Sequence, residues 1–433
     1  MALGGGTFTT MNKVLPGTYI NFVSAASASA VLADRGIVTM PLDIDWGPDN
    51  EIFTVTKNKF ISESMAIFGY AYDEPELKGL RDLFINAQTG YFYKLTSGGA
   101  KASNTYATAK YCGKRGNDLK IVITANVDDE SKFDVALYMG TSKINSQTVK
   151  TAAELADDAW VTYKKEASIA LTAGEALTGG TNGSVTGSSH QAYLSLIESY
   201  AFNTMGVAIT DEAEKKIYAA FIKRLRDTVG AKAQVVLYNC AADYEGVINV
   251  KNSVVDTNEA SIVYWVTGAE GGCAVNASCS NKIYDGEFSV NANYTQLQLE
   301  DCITSGELVL HKVGDTIRVL SDINSLVTET EDKGEVFKAN QTVRVCDQIA
   351  NDIAALFASK YCGQIPNDAD GRTSLWADIV KQHAELMNIR AIEGFSDGDV
   401  VVSAGNTKKA VVITDKITPV NSMEQIYMTV TVN

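Results

Sequence analysis

The chain has 433 residues, a length that exceeds one ordinary hydrophobic core and predicts two to four domains. Hydrophobic residues make up 45% of it, which excludes a chain that is disordered throughout. Aspartate and glutamate outnumber lysine and arginine by 15, which argues against direct binding to nucleic acid, because such binding needs a basic surface to neutralise phosphates.

The first predicted unit is an N-terminal arm, residues 1–23. Its leading residues are polar and rich in glycine, and Pro16-Gly17 is typical of a turn. A short strand is predicted after this turn, with apolar members Tyr19, Ile20 and Phe22.

Residues 24–96 are predicted to form the first part of a core domain. Its predicted elements are strands at 35–40, 51–55 and 91–95, and a helix that opens at Pro75. Because this helix is followed directly by a strand, the segment indicates an α/β fold.

Residues 97–187 differ in composition and are predicted to be a β-rich domain inserted into the core. Glycine-rich segments bound the region at Ser97-Gly98-Gly99 and at 179–183. Between them, strands are predicted at 119–125, 133–139 and 161–163.

The second part of the core is predicted over residues 188–418. Thr210 is predicted to cap a helix whose buried face is lined by Ala213, Ile217, Phe221 and Leu225. Gly230 ends this helix, and a buried strand follows at 234–238. Further strands are predicted at 261–267, 307–311, 316–320 and 410–414, and long helices at 341–360 and 374–390.

The last predicted unit is a C-terminal arm, residues 419–433, which contains a strand at 425–432. Apolar and polar residues alternate there, so that one face carries Ile426, Met428, Val430 and Val432 while Tyr427 lies on the other. A terminal strand of this kind either folds back as an edge of its own sheet or pairs with a neighbouring subunit. The residues alone favour the first alternative.

Side chains that commonly carry catalysis or bind metals are few and scattered. The three histidines are far apart in sequence, and His383 lies beside the apolar stripe of a predicted helix, which indicates a core or interface residue. Cys273 and Cys279 are the only close pair among seven cysteines, and no second pair with zinc-ligand spacing follows. The scattered cysteines indicate buried thiols in a reducing compartment.

Sequence motifs of common enzymes and cofactor sites are incomplete in this chain. Gly180 stands where a phosphate-binding loop needs its lysine, and Pro366 and Ala377 stand where a calcium loop aligned on Gly371 needs carboxylates. We therefore expect no cofactor and no enzymatic activity, with a hydrolase of dispersed active-site residues as a remote alternative. No run approaches the roughly 18 apolar residues of a membrane helix and no signal peptide is visible, so assembly in a cytoplasm is expected, without direct membrane contact.

Segments from residue 16 to residue 430 resemble the contractile phage tail sheath family. The C-terminal matches are VFKANQTVRVCDQIAND at 336–352, YCGQIPNDADGR at 361–372 and PVNSMEQIYMTV at 419–430. Earlier matches are PGTYINF at 16–22, WGP at 46–48, GKRGN at 113–117 and LTGGTNG at 177–183. The resemblance is to sheaths from phages, defective prophages and phage-tail-like bacteriocins of Gram-positive bacteria, and 240–300 matches no family motif.

The resemblance implies a structural subunit that polymerises as helically stacked rings around a tail tube. Contraction of the rings would drive the tube through the target cell envelope, with baseplate and tail terminator proteins as further partners. It also implies that both arms donate strands to adjacent subunits, that the inserted domain lies outside, and that the particle is a virion tail or a phage-tail-like particle. The alternative from another class is a surface adhesin or capsid-decoration protein.

Overall fold

The computed structural model describes residues 35–432, so the predicted strand with Tyr19, Ile20 and Phe22 lies outside the described residues. The helices are α1 (Lys57–Phe68), α2 (Lys78–Asn86), α3 (Gly187–Ile197), α4 (Glu212–Arg224), α5 (Ile262–Gly272), α6 (Gln296–Thr304), α7 (Asn340–Leu356) and α8 (Ala369–Asn388). The strands are β1 (Ile37–Leu42), β2 (Ile52–Thr56), β3 (Thr89–Lys94), β4 (Ala107–Ala109), β5 (Leu119–Ala125), β6 (Phe133–Met139), β7 (Ser142–Val149), β8 (Val161–Tyr163), β9 (Thr172–Ala176), β10 (Thr204–Val207), β11 (Gln234–Tyr238), β12 (Val247–Val250), β13 (Leu310–Val313), β14 (Thr316–Val319), β15 (Val400–Ala404) and β16 (Val411–Asp415).

The core is a six-stranded sheet with the order β12-β11-β10-β1-β3-β2. All neighbouring strands are parallel except β2, which runs antiparallel to β3. Val38 of β1 lies opposite Gly90 of β3 on one side and Thr204 of β10 on the other, so the sheet joins two segments distant in sequence. This arrangement confirms the predicted α/β class.

Helices cover both faces of the core sheet, as a parallel sheet requires. Val235 and Leu237 of β11 are fully buried in the cluster that packs under α3 and α4. Val236 and Ile248 belong to the opposite cluster, with side chains from α1, α2 and α5. Because both faces are covered, these strands carry continuous apolar runs rather than alternating ones.

A second group of strands lies in sequence between β3 and α3. It contains an antiparallel sheet with the order β7-β6-β5-β9 and a separate pair, β4 with β8. The strands predicted at 119–125, 133–139 and 161–163 coincide with β5, β6 and β8. These strands enclose a hydrophobic cluster of their own, which also contains Trp46 from the core segment. The exact domain boundaries remain a prediction.

The glycine-rich segments lie where the chain leaves the core and returns to it. The Gly183 N–H donates to the Thr96 oxygen at 2.8 Å, and the Thr181 N–H donates to the Ala100 oxygen at 3.0 Å. A Cβ atom on Gly183 would lie 1.9 Å from the Ser97 oxygen. The two chain segments therefore pass too closely for any side chain at this position.

The C-terminal part combines α7 and α8 with an antiparallel hairpin, β15–β16. His383 of α8 is fully buried and its Nε2 lies 2.8 Å from Oδ2 of Asp415 at the end of β16. This placement agrees with the predicted core histidine.

One predicted strand is wrong, because residues 261–267 begin α5 instead. Nearly all of this helix is buried, including Ile262, Val263 and Trp265, between the core sheet and α2. A short run that is apolar on all sides carries no periodicity that separates a buried helix from a buried strand.

Two further helical predictions need correction. The side chain that caps α4 is Asp211, which accepts from the Ala213 and Glu214 N–H groups, and not Thr210. The buried face also differs, because Ala213 is exposed whereas Tyr218 is fully buried. Helix α1 was not predicted, and β13 begins three residues later than the strand predicted from residue 307.

Candidate inter-subunit segment

The segment that follows β16 is fixed to its own subunit only over its first residues. Thr418 accepts a hydrogen bond from the Glu393 N–H, and the Val420 N–H donates to the Ala391 oxygen, both at 2.9 Å. Next, the hydroxyl of Thr342 donates to Oδ1 of Asn421 at 3.1 Å. These bonds hold the segment against α7 and the loop after α8.

Glu424 is the last anchoring residue of this segment. Its carboxylate accepts hydrogen bonds from the hydroxyls of Ser280 and Ser321, the latter at 2.8 Å. The Ser422 N–H donates to Oε1 of Gln341 at 2.9 Å. We call residues 418–424 the anchor, because they join the C-terminal end to three separate parts of the fold.

Residues 425–432, which we call the terminal segment, belong to no strand within the described chain. The predicted strand is therefore absent in the single subunit, because a strand requires a hydrogen-bonded partner. The predicted site residues in it are all strongly exposed, at 87% for Ile426, 90% for Tyr427, 76% for Met428, 68% for Val430 and 89% for Val432. Apolar and polar side chains still alternate along this segment, but the apolar ones are not covered by any described part of the same subunit.

The hairpin β15–β16 offers an open sheet edge. Of its two strands, only β16 was predicted from the sequence. Each of its strands has one neighbouring strand within residues 35–432, so the other edge of each strand makes no backbone hydrogen bonds to a further strand there. Val401 and Val412 on its outer face are 54% and 50% exposed. The sequence signal that was missed is two valine-rich runs separated by the six mostly polar residues 405–410, which begin with Gly405-Asn406 and are typical of a hairpin loop.

A buried charged cluster lies directly beneath the anchor. Arg344 of α7 donates from Nη2 to Glu270 at 2.6 Å and to Asp322 at 3.2 Å, and all three side chains are almost completely buried. Burial and the nearby Asp322 raise the pKa of Glu270 well above its usual value. Burial opposes ionisation of Asp322 as well, but the Arg344 guanidinium lowers the pKa of that carboxyl. The Arg344 guanidinium therefore pairs with the carboxylate of Asp322, whereas burial favours the protonated form of Glu270.

This cluster also contains ligand-type atoms close enough for a metal ion. Oxygen or sulfur atoms of Glu270, Cys279 and Asp322 lie within 4.8 Å of one another. The guanidinium of Arg344, however, already occupies the cationic position between the two carboxylates. An arginine does not lose its charge in a protein, so the arrangement does not fit a metal ion.

A crevice also lies at the carboxyl ends of β1 and β10, where doubly wound sheets commonly bind ligands. Its cavity of about 500 Å³ is lined by Asp43, Ala208 and Tyr264, among others. Lys78 at its rim is paired with Asp256 at 2.6 Å.

No helix in residues 35–432 is long and apolar enough to cross a membrane.

Comparison with sequence families places phage tail sheath domains along nearly the whole described chain. The descriptions that match are the tail sheath protein Gp18 domain III N-terminal region at 35–95, the phage tail sheath protein beta-sandwich domain at 97–182, the phage tail sheath protein central domain at 183–325 and the phage tail sheath C-terminal domain at 332–433.

Individual relatives are similar over their full length. Protein XkdK of the phage-like element PBSX from Bacillus subtilis is 32% identical, and the alignment covers 100% of both chains. The crystal structure of the sheath tail protein from Desulfitobacterium hafniense is 36% identical, with a TM-score of 0.82, covering 95% of this chain and 99% of that one. The helical sheath of the anti-feeding prophage in its contracted state shares the fold, with 13% identity and a TM-score of 0.58 over 97% of this chain and 99% of that one.

Proposed function

This chain belongs to the phage tail sheath family and is a structural sheath subunit, and we propose that its copies stack as helically related rings around a tail tube. Contraction of the stacked rings then drives the tube through the envelope of a target cell. The observation that carries this proposal is the terminal segment, residues 425–432, whose apolar face is exposed beyond a firm anchor.

The energetics of the terminal segment favour pairing only within an assembly. Ordering eight backbone residues costs about 8–16 kcal/mol. Burial of the four apolar side chains on one face returns about 6–12 kcal/mol. Ladder hydrogen bonds add about 0.5–1.5 kcal/mol each, so the balance for an isolated pair is close to zero. Neighbouring subunits that already touch elsewhere hold donor and acceptor at high effective concentration, which completes the pairing.

We propose the hairpin β15–β16 of a neighbouring subunit as the acceptor of the terminal segment. Its unpaired edges can extend the two-stranded sheet, and Val401 and Val412 offer apolar surface beside them. Tyr19, Ile20 and Phe22 form a second inter-subunit strand in this proposal. Two donated strands keep each subunit linked to its neighbours while the angle between subunits changes during contraction.

The proposed partners are further copies of this chain, a tail tube protein, and baseplate and tail terminator proteins. Support for a contractile particle comes from the shared fold with a contracted helical sheath. The particle is a virion tail or a phage-tail-like particle, assembled in the cytoplasm of the bacterial host. Within it, the β-rich domain at 97–187 lies on the outside and the core segment 188–418 faces the tube.

Electron microscopy of the purified full-length chain tests this proposal. Hollow cylinders or stacked rings are the expected result over a range of protein and salt concentrations, since screening of the net charge of −15 promotes self-association. Dispersed single particles under all these conditions, also after addition of a tube protein encoded beside it, would contradict polymerisation. That outcome would favour the adhesin or capsid-decoration alternative.

A further inference from the structure

Lys94 and Cys112 are in direct contact where the chain passes from the core sheet to the β-rich strands. Lys94 is the last residue of β3, and Cys112 follows β4. The Lys94 Nζ lies 3.3 Å from Sγ of Cys112 and donates to the Cys112 oxygen at 2.5 Å. The Lys94 side chain is fully buried, and Cys112 is only 3% exposed. An amine and a thiol, both nucleophilic groups, are therefore held against each other inside the protein.

Asp49 completes this group and connects it to solvent. Its Oδ1 lies 3.0 Å from the Lys94 Nζ and accepts a hydrogen bond of 2.9 Å from the Cys112 thiol. Its Oδ2 accepts from the Cys112 N–H at 3.2 Å. The Asp49 side chain is 22% exposed, so the group borders solvent on this side. The carboxylate therefore orients both nucleophiles and lies within reach of the protons that they would have to lose.

We propose that Lys94 and Cys112 form a site of oxidative cross-linking, at which hydrogen peroxide joins the lysine nitrogen to the cysteine sulfur. The thiol first gives its proton to Asp49, and the sulfur attacks one peroxide oxygen. The O–O bond breaks, and the leaving hydroxide takes up that proton as water. Cys112 is then a sulfenic acid, and its sulfur has lost two electrons to the peroxide.

The second step forms the bond between the two side chains. The Lys94 ammonium releases one proton to solvent, and its nitrogen attacks the sulfur of the sulfenic acid. The S–O bond breaks, and the leaving hydroxide takes a further proton from the nitrogen and departs as water. The product is a sulfenamide, the N–S bond that sulfenic acids also form with backbone nitrogen.

The surroundings of Cys112 favour this product over other fates of a sulfenic acid. Its burial keeps out a thiol as large as glutathione, whereas the Lys94 nitrogen is already in contact with the sulfur. The new bond would close the loop 94–112, which carries the chain from the core into the β-rich strands. Oxidation would therefore fasten the two regions to each other. The inference concerns the single subunit and does not depend on the proposed sheath assembly.

Peptide mass spectrometry of the full-length protein detects this bond directly, because trypsin does not cleave after a lysine whose nitrogen is bonded to sulfur. After peroxide treatment, denaturation and alkylation, we expect residues 82–101 to stay uncleaved at Lys94 and to be joined to residues 111–114. The joined peptides should carry two hydrogens fewer than the separate ones. Dithiothreitol should separate them and restore cleavage after Lys94. The inference is overturned if cleavage after Lys94 stays complete at peroxide concentrations that oxidise the exposed Cys362.

Single variants show whether the two side chains react with each other. Cys112→Ser keeps a hydrogen-bond donor beside Asp49 but removes the sulfur, so cleavage after Lys94 should stay complete in peroxide. The matched control Cys302→Ser removes another thiol of 3% exposure and should form the link like the unchanged protein. In Lys94→Arg, which keeps the positive charge, Cys112 should end as a sulfinic or sulfonic acid. The same acids at Cys112 in the unchanged protein, with Lys94 free, would contradict the proposed bond.

Discussion

The Ser422 N–H donates a hydrogen bond of 2.9 Å to Oε1 of Gln341, and this contact ties the C-terminal end to the first turn of α7. The chain is therefore held up to Glu424 and projects into solvent only beyond it. A deletion that tests strand donation should begin after this point. A cut after Thr418 would remove the anchor as well and would mix two effects.

Removal of residues 425–433 should abolish cylinder formation and leave the subunit folded. The deleted side chains are exposed in the single subunit, so its Tm should stay within about 1 °C of the full-length value. Sedimentation and electron microscopy measure the assembly, and differential scanning calorimetry measures the Tm. Cylinders of normal length from the shortened chain would refute strand donation.

A pair of charge substitutions tests which face of the terminal segment is buried in the assembly. Met428→Asp with Val430→Asp should prevent cylinders, because burial of unpaired carboxylates is strongly unfavourable. The matched control carries the same two charges on the opposite face, as Thr429→Asp with Thr431→Asp, and should still assemble. Equal loss of assembly in both double variants would point to net charge rather than to a buried face.

The junction between the core and the β-rich strands should not tolerate a side chain at Gly183. Its added Cβ would meet the Ser97 oxygen at 1.9 Å, so Gly183→Ala should lower the free energy of unfolding by about 1–3 kcal/mol. Gly187→Ala is the control, since nothing lies within 4 Å of that Cβ at the start of α3. The control should be neutral or stabilising by about 0.4–1 kcal/mol in urea unfolding. Equal effects of the two substitutions would contradict the close crossing.

Sequence patterns anticipated this fold where local periodicity carries the information. Strand β5 places its buried residues Leu119, Ile121 and Ile123 at alternate positions, and the predicted bounds of β5 and β6 agree with the structure. Helix α5 was missed because it is apolar on nearly every side. For the candidate site, the alternation at 426–432 is visible in the sequence, but Ser422 meets Gln341, and Glu424 meets Ser321, only through tertiary packing. No local pattern links residues that are 81 and 103 positions apart.

The predicted inserted domain can be tested by deletion. The structure shows that a substitution of Trp46 should accompany the deletion. Trp46 of the core segment is fully buried in the cluster of the β-rich strands, with its ring 5.4 Å from that of Tyr111. Replacement of residues 97–187 by a short glycine-serine linker would expose this tryptophan. We expect the deletion variant to melt cooperatively but at lower temperature, and Trp46→Gln in the same variant to increase its solubility. Aggregation of both proteins would contradict an independently folded core.

Loss of the buried cation should destabilise the core strongly. Arg344→Met leaves Asp322 without its ion pair in a fully buried position, at a cost of about 3–5 kcal/mol. Arg224→Met is the control, because that arginine pairs with Glu198 on the surface and contributes little. Urea unfolding should therefore separate the two variants clearly. A small effect of Arg344→Met would show that water or a shifted side chain replaces the guanidinium.

Asp82 of α2 predicts a specific pH dependence of stability. It is fully buried, and it accepts hydrogen bonds from the Tyr284 hydroxyl at 2.9 Å and from the Glu287 N–H at 2.8 Å. Burial raises the pKa of this carboxyl from 3.8 to about 6, despite both hydrogen bonds. Between these values the folded state holds a proton that the unfolded state releases, so the contribution of Asp82 to stability decreases as the pH rises through this window.

Comparison with Asp82→Asn isolates this effect from all other titrating groups. The free energy of unfolding of the unchanged protein, minus that of the variant, should fall by about 2 kcal/mol between pH 4 and pH 6. Above about pH 7 the difference should stay constant. The control Asp256→Asn should show the opposite sign, since the hydrogen bond from Lys78 lowers the pKa of Asp256 and its contribution is lost as the pH falls. If the free energies of unfolding of Asp82→Asn and of the unchanged protein change in parallel with pH, then the pKa of Asp82 is the same in the folded and unfolded states.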